Sequence, residues 1–133
     1  MEKYCVSLEI AKKLKDAGWK KETKFWWEHH FKEIDNGQGV TELISKIELN
    51  SRSYVGEFYP APISGEILEE LPATITKDGF SAILEIRIHN NTKDVCYYHP
   101  HLFFAETDKS LPNALAKMFI YLKSNNLLEG GKG

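Results

Sequence analysis

His99-Pro100-His101 sets two imidazoles two residues apart, and imidazoles at close range hold transition metals or move protons. If this segment is a strand that Pro100 does not break, both rings share one face, and His89 approaches from across a hairpin. Zinc takes three or four ligands in a closed or nearly closed set, so His89, His99 and His101 are the candidate metal ligands. No CxxC or HExxH spacing accompanies them, and the plainer reading makes them polar residues at a strand end. His29 and His30 are adjacent, point to opposite faces of a strand and do not ligate one ion together.

Cys96, close to His99, offers a thiol near a base, but a catalytic thiol also needs an oxyanion donor arranged around it. No such arrangement is visible, and a half-buried strand cysteine accounts for Cys96. Glu66 and Glu70 share a face of a short helix and resemble a carboxylate pair; without an evident partner group they read as a solvated acidic face, retained as a candidate binding surface. Gly37 and Gly39 flank Gln38 in a turn with no helix opening behind it, so no phosphate-cradling loop is present. No cofactor is expected.

The aromatics are the other chemistry-bearing group. Phe25-Trp26-Trp27, with Trp19, Tyr54, Phe58 and Tyr59, is dense for so short a span. Alternation along a strand sends Trp26 and Trp27 to opposite faces, which leaves one of them exposed unless both faces are covered. Exposed Trp and Tyr serve as protein-interface anchors, making Trp26, Trp27 and Tyr59 candidate binding residues. The nearby Lys20, Lys21, Lys24 and Lys32 also allow base stacking over a charged track, as in single-strand nucleic-acid binding.

These residues must be held by elements whose periods are legible. Ile10, Ala11, Leu14 and Ala17 form a helical stripe behind a Ser7 cap, with Gly18 at the left-handed C-terminal position. Residues 23–32 alternate with the period of a half-buried strand, residues 35–39 carry an Asn-Gly turn, and residues 40–49 return as a second strand. Tyr59 and Ala61 each precede a proline and stay extended. Ser64 then caps a two-turn helix with Ile63 and Leu68 as a hydrophobic staple, and Pro72 stops it. Residues 73–76 form a short strand, Lys77-Asp78-Gly79 a tight turn, and residues 80–89 the cleanest alternation in the chain. Residues 95–104 return as a strand bent or interrupted at Pro100. Ser110 caps a last helix with Pro112 in its first turn, and Leu111, Leu115, Met118 and Leu122 form its stripe.

Composition sets outer bounds. The 133 residues, 42% of them hydrophobic, suffice for a core without disulfide or metal support. Net charge is −2, with about +3 on residues 1–24 and −5 on the rest, which disfavours nucleic acid as a general partner. Only Cys5 and Cys96 occur, without framework spacing, and there is neither a signal-peptide core nor an apolar run of membrane-spanning length. A cytoplasmic protein with no membrane partner is expected.

Three segments also carry a resemblance. Ser7-Leu8-Glu9-Ile10-Ala11-Lys12-Lys13-Leu14 through Gly18-Trp19 resembles an SLELAKKLKELGF opening. Tyr59-Pro60-Ala61-Pro62 running into Glu66–Pro72 is similar to YPAPTLAELLEELP, and Ala114-Leu115-Ala116-Lys117-Met118 through Leu128 to ALAKMLIYLLENGLI. These motifs, in this order, are those of small proteins encoded by phages and prophages. The resemblance implies a phage- or prophage-related bacterial protein and brings no catalytic residues with it. Gly65 departs from the pattern, which has a better helix former there.

The combined expectation is a single α+β domain over residues 1–129 with a flexible Gly-rich tail at 130–133. Three helices cover an antiparallel sheet of four to five strands in two layers, in the order αββαβββα. With no catalytic constellation, the expected function is a non-enzymatic binding or protein-interaction module whose partner is a phage or host protein. The alternative is a metal-binding protein or metal-dependent enzyme using the strand histidines, and a weaker one is single-strand nucleic-acid binding. Oligomeric state is left open.

Overall fold

The computed structural model describes residues 4–30, 40–45 and 57–128. The turn read at residues 35–39, the end of the second strand with Ile47 and Leu49, Tyr54 and the tail lie outside the described residues. The chain is α+β: the described residues form three helices and two antiparallel sheets, one of three strands and one of four. The contacts gather into two compact units, Met1–Ile63 and Ser64–Gly133. No helix among the described residues is long and apolar enough to cross a membrane.

In the first unit, α1 spans Leu8–Ala17. Ser7 caps it by accepting from the Ile10 amide, and Gly18, at φ 95°, ends it in the left-handed conformation that a side chain disfavours. Ile10, Ala11 and Leu14 are buried, and Trp19 closes the turn with its amide on the Leu14 carbonyl. The sheet has order β2-β1-β3, from β1 (Phe25–His30), β2 (Val40–Ser45) and β3 (Glu57–Pro60). Here β3 is the extended Tyr59-Pro60 segment, drawn into the sheet because extended residues are ready to pair. Pro60 lacks an amide, and its strand accordingly lies at an edge. The chain then turns back so that Pro62 accepts from the Val6 amide and Ile63 bridges Cys5.

In the second unit, α2 (Ser64–Leu68) is shorter than the sequence reading, and Ser64 is its first residue rather than its cap. Past Leu68 the bonds tighten, with the Glu70 amide on Ile67 and the Leu71 amide on Leu68, before Pro72 stops the run. The sheet is a meander, β4-β5-β6-β7, of β4 (Thr74–Lys77), β5 (Phe80–His89), β6 (Thr92–His99) and β7 (Leu102–Asp108). Asp78 and Gly79 both have positive φ, as a two-residue turn requires. Pro100 interrupts the return run outright and makes a hairpin of it, which with β3 gives seven strands among the described residues. The last helix, α3 (Leu111–Ser124), has the Ser110 cap and early Pro112 read from the sequence. It lies against β6, β7 and α2, burying Leu115, Met118 and Leu122.

A candidate interaction surface on the four-stranded sheet

The register sorts the second sheet into two faces. Leu84, Tyr97 and Phe104 stand side by side on β5, β6 and β7, and Phe104 stacks on Tyr121 of α3, so theirs is the helix-covered face. Ile75, Ala82 and Val95 are buried on it, and the Tyr97 hydroxyl donates to the Pro72 carbonyl at 2.7 Å. Burial pushes the Tyr97 phenol well above its ordinary value.

No helix among the described residues covers the opposite face, and a row of large side chains crosses it. Ile83, Tyr98 and Phe103 are cross-strand neighbours on β5, β6 and β7, with 59%, 43% and 56% of their surfaces exposed. Tyr98 and Phe103 meet edge to face at 6.3 Å between centroids. The Arg87 guanidinium lies 5.7 Å from both ring centroids, within cation–π range. Glu85 holds it there by accepting from Nη2 at 2.8 Å and Nε at 3.2 Å. Other polar side chains pair among themselves: Thr76 with Ser81, Thr107 donating to Asp94, and His89 3.2 Å from Asp94. Cys96 also lies on this face but is buried, and burial pushes its thiol up against the opposing pull of Arg87. A thiol so raised is a poor nucleophile near neutral pH.

Sequence reasoning missed this surface, although a signal for it exists. Tyr97-Tyr98 and Phe103-Phe104 are doubled aromatics on neighbouring strands, and a doubled aromatic in a strand puts one ring on each face. With a helix on one face only, the second ring of each pair faces outward.

The candidate binding residues of the first unit are placed differently. Trp27 and Tyr59 are brought together as cross-strand partners, and Trp26 stands beside Ile44 and Pro60 on the other face. Neither tryptophan is among the exposed large side chains. The Trp27 indole N–H donates to the Val6 carbonyl at 2.9 Å, while the Trp26 indole nitrogen is buried and makes no hydrogen bond among the described residues. On Trp26's face Ile44, Glu28 and Pro60 are buried, while Phe25, Trp27 and His29 on the other face are half-buried. Tyr59 is engaged by its own unit. Its hydroxyl donates to Glu57 at 2.5 Å, and the Lys15 and Lys12 ammonium groups sit 5.0 and 5.5 Å from its ring centroid. The Glu57 bond, then burial, then the charges of Glu57 and Asp16 raise its pKa. Glu66 is half-buried in α2, and Glu70 falls in the tightened turn beyond it rather than on the same regular helix face.

The histidine set needs correction. His99 and His101 do come together, with centroids 5.7 Å apart and Phe80 about equally close to both. His89 does not join them. It pairs with Thr92 at the turn, while Tyr98, next to His99, pairs with Ile83. Six residues of strand therefore separate the levels, roughly 20 Å. The His101 amide also donates to His99 Nδ1 at 3.0 Å. A neutral ring that accepts at Nδ1 carries its proton on Nε2, the reverse of what an Nε2 metal ligand needs. Among the described residues no group of three or more His, Cys, Asp or Glu is disposed to hold a metal ion. Comparison of the chain with protein-family models, curated proteins and solved structures finds no match.

Proposed function

We propose that this chain is a non-enzymatic protein-interaction module and that the open face of the four-stranded sheet is its contact surface. The observation that carries the reading is the exposed row Ile83–Tyr98–Phe103 with Arg87 laid across its two rings. Aromatic and arginine side chains fixed in place are the residue types that anchor protein interfaces, because little freedom remains to be lost on binding. A nucleic-acid strand is the poorer fit. Among the described residues Arg87 is the one Lys or Arg that the strands of this face present, and its guanidinium is occupied by Glu85. The resemblance of three segments to phage and prophage proteins supports a phage or host protein as partner, and the absence of a disulfide at Cys5 and Cys96 suits a cytoplasmic setting.

The test is a photo-crosslinking residue placed at position 98 and, as a control, at position 88. Ile88 is 69% exposed on the helix-covered side of the same sheet, beyond the helix. In the native cell, position 98 is expected to form a discrete protein adduct that position 88 does not. Equal labelling, or none at position 98, overturns the reading.

A further inference from the structure

The hairpin turns of the second sheet are not built alike. The β4–β5 turn puts Asp78 and Gly79 at positive φ, and the β5–β6 turn puts Asn90 there. Left-handed residues in a two-residue turn match the twist of the strands they join. The β6–β7 turn also spans two residues, since His99 pairs with Leu102, but neither Pro100 nor His101 has positive φ. Proline at the first turn position fixes φ at about −65° and excludes both favoured hairpin turns, and the types that remain splay the strands.

What holds this turn is a side chain. His99 Nδ1 accepts from the His101 amide at 3.0 Å, the same reach to the amide two residues on that Asp and Asn make in turns of their own. An imidazole accepts at Nδ1 only while it is neutral; with a second proton both ring nitrogens are donors. A protonated His99 would then face the His101 amide with an N–H of its own. None of its neighbours replaces the lost bond. The His101 ring stands 5.7 Å away on the same turn and Phe80 of β5 stands 5.0 Å away, with Lys77 of β4 opposite Phe80. Leu102 of β7, directly across from His99, is apolar. In α3, Lys117 pairs with Asp108 and Tyr121 stacks on Phe104, so the helix runs antiparallel to β7 and carries Lys123 of its last turn toward this end. The two lysines have no acceptor to offer, and Asp78 is the carboxylate of the neighbouring β4–β5 turn.

We infer that the β6–β7 turn is a proton-operated latch: neutral His99 closes it, and protonation of His99 opens it. The latch goes beyond the interaction reading and does not depend on it. Tyr98–Phe103 is the next pair inward from His99–Leu102, so an open turn loosens the edge-to-face contact of those two rings.

Two-dimensional NMR of the full chain, taken from about pH 8 to about pH 5 where imidazoles change charge, tests this. The His101 amide proton is expected to move upfield with the same midpoint as the His99 ring protons, and the Tyr98–Phe103 ring contact to weaken in step. His99→Phe should leave the amide of residue 101 where acid leaves it in the parent, without response to pH. His101→Gln should keep the response, because the turn uses only the amide of that residue. Circular dichroism matching the parent confirms that each variant is folded, and the titration of the parent decides the matter alone should a variant not fold. An amide that stays in place while the His99 ring titrates, or a response that persists in His99→Phe, overturns the inference. Neither result touches the crosslink at position 98, so the latch and the interaction reading fail separately.

Discussion

Ile44 and Ile83 hold matching places in the two sheets. Each stands beside an aromatic on the next strand, Trp26 for one and Tyr98 for the other, yet Ile44 is 1% exposed and Ile83 59%. Ile44 lies on an edge strand and Ile83 on an inner one, so place within the sheet does not decide burial. What differs is the surrounding row: Ile44 sits among the buried Glu28 and Pro60, whereas Ile83 sits beside the exposed Tyr98 and Phe103. The three-stranded sheet has one face with Glu28, Ile44 and Pro60 buried, and among the described residues α3 covers one face of the four-stranded sheet and no helix covers the other. The first arrangement spends its aromatics on stability. The second leaves them free for contact.

Replacing the two isoleucines breaks the comparison most sharply. Ile44→Ala is expected to cost about 2–5 kcal/mol by urea unfolding, the range for emptying a packed site. Ile83→Thr, measured at low concentration, should change stability by no more than about 0.5 kcal/mol. A large loss at Ile83 would show that its face is covered after all.

A second pair lies within the first sheet. Trp27→Phe strands the Val6 carbonyl, whereas Trp26→Phe removes a buried indole N–H that lacks a partner among the described residues. Both lose ring surface, so the difference isolates the hydrogen bond, and Trp27→Phe should be the more destabilising by about 1–2 kcal/mol.

Gly65→Ala works in the second unit. A Cβ there meets nothing within 4 Å, and the substitution should stabilise by about 0.5–1 kcal/mol. All three tryptophans precede residue 28, so their fluorescence reports the first unit, while circular dichroism reports both. A gain visible in circular dichroism and absent from fluorescence assigns the effect to the unit with the open face. The smallest effect is set by pH. Burial pushes the Asp108 carboxyl up, but the Ser110 amide and Lys117, 2.9 Å away, outweigh it and hold it below the usual aspartate range. Its contribution is therefore present above the unfolded pKa and lost as pH falls through the folded one. Asp108→Asn should flatten the acid limb of the stability profile and leave neutral pH less stable; an unchanged acid limb contradicts this.

Much of the architecture is legible in the chain because its signals are local. Ser7, Gly18, Ser110 and the Asp78-Gly79 turn each act over a few residues, and each is found where its chemistry places it. The recruitment of the Tyr59-Pro60 segment beside β1 was not legible, since extended backbone does not name its partner. Nor was the buried face around Glu28, whose polar type suggests water. The separation of His89 from His99 was readable: the Asn90-Asn91 turn already puts His89 at one end of the hairpin and His99 at the other. The outward rings of the doubled aromatics were half readable, because the pattern announces two faces without saying which one α3 covers.

The bond from the Tyr97 hydroxyl to Pro72 has a consequence that reaches the laboratory bench. Burial holds this phenol protonated well past the ordinary tyrosine range, so its folded pKa exceeds its unfolded one. Stability is then flat below about pH 10 and erodes above it as the unfolded chain alone gives up the proton. In an alkaline titration followed by the phenolate absorption band, Tyr97 stays dark until its strand comes away from α3. It is a clock built into the sheet, silent while the second unit is folded and struck once when it opens.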